Sequence, residues 1–273
     1  MITPKQMLVA GAVSIVIAAL FAVRKEDSGH PGQKQLPTFN MVGGYLDPSE
    51  VLEELSNIPP PPPAGSPGFQ RDEQARKIAL SLDDPARYAQ AVSDSNRGVP
   101  ETLRSFSCAL GTDISDHTTP HLAHLLNRLR IDTRHEVGPL RDRYKRIRPY
   151  LQYKTRTCSP ADEALVEDQG SYPSARSAVG WSFALVLAEI NPARSSVILQ
   201  RGRDFGQSRL ICDAQWQSDV DAGEQVGTLV VARLRRDKTF LADLQSAKVE
   251  VAHVLATTAK PTAGCGKMAF AAR

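Results

Sequence analysis

The stretch Ser177–Ile190, SAVGWSFALVLAEI, is apolar on nearly every side when wound as a helix. A helix on the outside of a core keeps a polar face, whereas one without such a face belongs in the middle of a bundle. Neighbouring segments supply the surrounding layer. DEQARKIALSL (Asp72–Leu82) reads as a helix, and DDPARYAQAVSDS (Asp83–Ser95) follows with an Asp-Pro start. TTPHLAHLLNRLR (Thr118–Arg130) places apolar residues at helical spacing after Pro120. VDAGEQVGTLVVARLRR (Val220–Arg236) and KTFLADLQSAKVEVAHVLA (Lys238–Ala256) complete the set. Alternating strand patterns are scarce. The expectation is an all-α helical bundle over residues 67–258, with a flexible tail over 259–273.

The N-terminal third reads differently. Lys5 precedes the apolar run Met7–Val23, and Arg24 and Lys25 follow it. The run is longer than a typical signal-peptide core and shorter than a comfortable membrane span. Residues 1–23 are therefore expected to be a signal peptide or a membrane anchor, with a buried helix at a domain edge as the third reading. Residues 24–66 lack apolar periodicity and contain five consecutive prolines, Pro59–Pro63. Such a run cannot enter a helix or sheet, so an extended proline-rich arm lying on the domain is expected. Export fits the four cysteines, Cys108, Cys158, Cys212 and Cys265. Two disulfides are allowed, with three connectivities that the sequence does not rank, and buried free thiols are the alternative.

Several function classes are disfavoured. At 273 residues the formal net charge is +3, too weak to argue for nucleic acid. No glycine-rich nucleotide loop occurs, no two cysteines have C-x-x-C spacing, and no cofactor is implied. His117, His121 and His124, with Asp113 or Asp116, make a weak metal candidate that reads better as surface histidines.

Three segments carry chemistry. In RDRYKRIRPY, Arg141 and Arg148 are seven residues apart, two helical turns, so both guanidiniums are expected to project from one face. In GSYPSARS, Pro173 and Ser174 open the buried helix, whose first N–H groups lack partners and attract anions. GQSRLICDAQWQSD carries Ser208, Arg209, Gln215 and Asp219. Arginine suits multidentate contact with phosphate oxygens.

These blocks, with the flanks FSCALG, GWSFALVLAEINP, RGRDFGQSR and WQSDVDAG, resemble the bacterial class A non-specific acid phosphatases. That family belongs to the type 2 phosphatidic acid phosphatase and vanadium haloperoxidase superfamily. The resemblance implies a periplasmic, all-helical phosphatase working through a phosphohistidine intermediate, and a dimer. It implies phosphate contacts for Arg148, Ser174 and Arg209, and for Asp219 the orienting of the nucleophile. The sequence departs from the family pattern at four positions. Arg141 stands at a lysine position and Ala175 at a glycine position. Arg176 stands where the leaving-group histidine is expected, and Gln215 where the nucleophilic histidine is expected.

A carboxamide forms no stable phosphoryl adduct, and a guanidinium stays protonated across the working range. The expected function is binding of phosphate or a phosphorylated small molecule, with phosphomonoester hydrolysis lost or very weak. Two alternatives compete with it. One is an active phosphatase or transferase of altered mechanism using Ser174, Cys212 or Asp213. The other is a structural or interaction protein with a vestigial pocket. For the two substituted positions the passive readings are that Arg176 swings away and that Gln215 bonds Asp219 or Arg209.

Overall fold

The computed structural model describes residues 43–49, 51–257 and 265. The apolar run over 7–23, the first part of the arm and most of the 259–273 tail lie outside the described residues. Among those described there are ten α-helices and no strand. They are α1 (Pro67–Leu80), α2 (Pro85–Asp94), α3 (Val99–Arg104), α4 (Ser107–Leu110), α5 (Pro120–Tyr144), α6 (Pro149–Tyr153), α7 (Ala175–Ile190), α8 (Ser195–Ile211), α9 (Gln217–Leu234) and α10 (Lys238–Thr257). None is long and apolar enough to cross a membrane.

Helix α7 is the centre. It packs against α5, α8 and α9, and Val179, Phe183, Val186 and Leu187 are all buried. Small residues set how close the neighbours come. A Cβ on Gly202 of α8 would lie 2.4 Å from the Ala184 Cβ, and one on Gly223 of α9 would lie 2.4 Å from the Ser174 carbonyl oxygen. Both are far inside contact distance, so these helices approach only because the side chains are absent.

The arm is held by buried carboxylates of α5. Asp132 accepts from the Tyr45 and Leu46 amides at 2.9–3.1 Å, and Glu136 accepts from Leu52 N–H at 2.9 Å. Burial pushes Asp132 up to about 6, despite the two backbone donors that pull it down. Leu55 and Ile58 are buried in the core, and the Tyr172 hydroxyl donates to the Pro59 carbonyl.

The disulfides are Cys108–Cys265 and Cys158–Cys212. The first ties residue 265 of the tail to α4. The second removes Cys212 as a thiol nucleophile. Asp213 is equally unavailable: it is 2 % exposed, receives Arg76 Nε and Nη2 at 2.6 and 2.8 Å, and accepts the Thr155 hydroxyl.

Arg141 and Arg148 do not share a helix. Helix α5 ends at Tyr144, and Lys145 turns left-handed at φ 43°. Arg148 caps α6 in an extended conformation, as the following Pro149 demands.

Candidate functional site

A small cavity of about 50 Å³ opens beside the first turn of α7. That is room for a few waters or one compact oxyanion. Its lining comes from five parts of the chain: the loop after α2 (Ser95, Arg97), α5 (Arg134, Arg141), the start of α6 (Arg148, Tyr150), α7 (Ala175, Arg176) and the end of α8 with the loop beyond it (Arg209, Ala214, Gln215). The segment Thr157–Val166 supplies a further wall, including Asp162 and Glu163.

Most of these arginines are fixed from behind. Arg148 is 4 % exposed and donates to the carbonyls of Val166, Ala214 and Gly170 at 3.1–3.3 Å. Arg141 Nε donates to the Pro173 carbonyl at 3.1 Å. Arg176 Nη2 donates to the carbonyls of Asp94 and Asn96. Arg209 Nη1 donates to Ser95 Oγ at 2.9 Å. The loop carrying these acceptors is itself anchored, because the buried Asp94 carboxylate pairs with Arg201 and accepts from Ser208 Oγ.

The wall nonetheless holds unused donors. Arg176 Nε, Arg209 Nε and Tyr150 Oη are buried with no hydrogen-bond partner among the described residues. The amides of Ala175 and Arg176, in the first turn of α7, have no intrahelical acceptor. Burial, and then the like charges of Arg148 and Arg134, pull Arg141 well below the ordinary arginine value, to about 9. Burial and then Arg176 and Arg148 bring Arg209 to about 9 as well. Arg176 falls to about 10, chiefly by burial, with Asp94 opposing. All three remain cationic at neutral pH. They crowd one another with little acid to offset them, since Glu163 is already taken by Arg156 and the Thr157 amide.

The structure thus brings Arg141, Arg148, Ala175, Arg176, Arg209 and Gln215 to one cavity. Ser174 and Asp219 do not line it. The Ser174 hydroxyl caps α7, accepting from the Ser177 amide at 3.2 Å and the Ser177 hydroxyl at 2.8 Å. Asp219 accepts from Arg146 Nη1 at 2.6 Å and the Trp216 amide at 2.9 Å; burial raises it and Arg146 opposes. Gln215, 1 % exposed, donates to the Ser171 carbonyl at 2.9 Å, bonding neither Asp219 nor Arg209. Arg176 turns inward onto the 94–96 loop, not out to solvent.

Arg97 and Arg134 were not anticipated. Arg134 sits seven residues before Arg141 on α5, so the heptad spacing offered a signal. Arg97 lies in a loop without periodicity and offered none.

Arginines gathered at the start of the central helix present the charge and donors that suit an oxyanion. The chain belongs to the non-specific acid phosphatase family. It is 38% identical over 213 residues to a non-specific acid phosphatase of Providencia stuartii, covering 76% of this chain and 84% of that one. It is 36% identical over 211 residues to the non-specific acid phosphatase of Salmonella typhimurium, covering 77% and 84%. It is 35% identical over 199 residues to an acid phosphatase of Zymomonas mobilis, covering 73% and 75%. No family model matches the chain.

Proposed function

We propose that this chain is an exported, periplasmic member of the family that binds phosphate or a phosphomonoester and hydrolyses it very slowly or not at all. The observation that carries this reading is the composition of the cavity wall: among the described residues it holds six arginines and no histidine. On this reading Gln215 and Arg176 occupy the nucleophile and general-acid positions. A carboxamide anchored to a backbone carbonyl has no lone pair of useful basicity to offer phosphorus. A guanidinium retaining its proton to about pH 10 can bond a leaving oxygen but not protonate it.

Binding is what the remaining groups do well. Arg141, Arg148, Arg176 and Arg209 surround the anion, and the open amides of Ala175 and Arg176 complete the cradle. Ser174 acts indirectly, by fixing the first turn of α7, and Asp219 by holding Arg146 and the start of α9.

Loss of an acid–base group removes ~10²–10⁴-fold of rate, and loss of the nucleophile closes the covalent route. Steady-state assay with p-nitrophenyl phosphate tests this beside isothermal titration with phosphate. The expected pairing is measurable phosphate affinity with turnover at least ~10⁴-fold below that of the Providencia stuartii relative. Turnover within about tenfold of that relative overturns the reading of silence; no phosphate binding overturns the reading of the site.

A further inference from the structure

Two of the six cavity arginines differ from the other four. Arg141, Arg148, Arg176 and Arg209 each donate to a carbonyl or hydroxyl of the wall. Arg97 and Arg134 are exposed at the mouth and, among the described residues, donate to nothing. Arg134 also feels the charge of Arg97. Although part of its side chain reaches solvent, Arg134 sits deep enough that burial first, and then the Arg97 charge, hold it below its usual value, with no carboxylate opposing.

The acids of the mouth do not serve this pair. Glu163 is engaged by Arg156 Nε and the Thr157 amide, both at 2.7 Å, and Asp162 exerts its attraction on Arg176. Two guanidiniums at one cavity without a counter-charge are a cost that a bound anion removes. The inner cavity, about 50 Å³, has room for one oxyanion. A second must sit outside it, where Arg97 and Arg134 stand. On α5 the seven residues from Arg141 back to Arg134 span about 10 Å of helix axis, and two long side chains can shorten that gap to the reach of adjacent phosphate groups.

We propose that Arg97 and Arg134 form an outer anion subsite, and that the cavity's ligand carries two neighbouring phosphate groups. The inner group is held by Arg141, Arg148, Arg176 and Arg209, and the outer by the exposed pair. This rests on the phosphate-binding reading above and adds a ligand class to it: a diphosphate, inorganic or organic, bound in preference to a monophosphate.

Calorimetric titration at constant ionic strength tests it, with inorganic phosphate, inorganic pyrophosphate, AMP and ADP as probes. The full chain is expected to prefer pyrophosphate over phosphate, or ADP over AMP, by at least ~10-fold, the value of one extra charge-assisted contact. Arg97→Ala with Arg134→Ala should shrink that preference to about threefold or less, losing more affinity for the diphosphate than for phosphate. Arg97→Lys with Arg134→Lys should retain much of it. Arg104→Ala with Arg235→Ala removes the same charge at exposed sites outside the cavity and should not change it. A preference seen only with the nucleotides assigns an organic ligand, and one seen only with pyrophosphate an inorganic one. Phosphate binding without any diphosphate preference, or a preference untouched by the alanine pair, overturns the proposal and leaves the phosphate site standing. Failure to bind any of the probes overturns both.

Discussion

Replacing Arg209 by methionine should make the empty protein more stable and its anion binding weaker. The guanidinium has one protein hydrogen bond, to Ser95 Oγ, and its Nε is buried without a partner. The like charges of Arg176, Arg148, Arg97 and Arg141 all work against it. Methionine keeps most of the volume and removes the charge, and exchanging poorly compensated buried ions for apolar side chains is often stabilising by ~1–4 kcal/mol. Taking ~1–2 kcal/mol, and ~2–4 °C per kcal/mol for a domain of this size, the melting temperature should rise by about 2–8 °C in phosphate-free buffer. Binding moves the other way. Losing a guanidinium contact to a phosphate costs ~1.5–3 kcal/mol, which weakens affinity about 10–150-fold. Differential scanning calorimetry after exhaustive dialysis, paired with phosphate titration, reads both effects. A variant that melts lower than the parent, or that binds phosphate equally well, would refute the idea that Arg209 is kept for an anion at the expense of stability.

Three further outcomes follow from the same geometry. Gly223→Ala drives a methyl to 2.4 Å from the Ser174 carbonyl and should cost about 1–3 kcal/mol, read as a fall in denaturation midpoint, as α9 is forced off the start of α7. Phosphate affinity should hold from about pH 7.5 to 9 and then decline. Arg141 and Arg209 sit near 9 in the fold, well below the ordinary arginine value, so their charged forms carry a penalty that is complete below 9 and relieved above it. Titration across that window should therefore show binding falling while the empty protein gains stability from these two groups. Cys158→Ser with Cys212→Ser opens a loop of 54 residues and should cost about 4 kcal/mol by chain entropy. Because Ser95 Oγ lies 3.3 Å from each sulfur and holds Arg209, phosphate affinity should drop in the same variant, measured by titration.

The central helix could be read from the chain because a segment with no polar side has one stable location. The cavity could be read only in part. Arg141 and Arg148 reach it, but not as neighbours on one helix: proline at 149 forces residue 148 extended, and the left-handed turn at Lys145 ends α5 before it. The resemblance identified Ser174 and Asp219 as site positions, whereas both hydrogen-bond to the frame around the cavity. That distinction depends on which partner each lone pair finds, and sequence spacing carries no such information. Gln215 shows the same limit, since its acceptor, the Ser171 carbonyl, lies 44 residues away along the chain. Helix α8 escaped the periodicity reading because Arg201, Gly202 and Gly206 are buried in it, which blurs its apolar stripe. Arg97 depends wholly on tertiary placement.

On the function proposed above, the cavity grips phosphate and lacks the groups that would move it. Arg176→His combined with Gln215→His measures this most directly, by p-nitrophenyl phosphate turnover with acid-quench trapping of phosphohistidine. The predicted result is a covalent adduct and a rate at least ~10²-fold above the parent, which itself yields no adduct. An adduct and rapid turnover in the unaltered chain would contradict it.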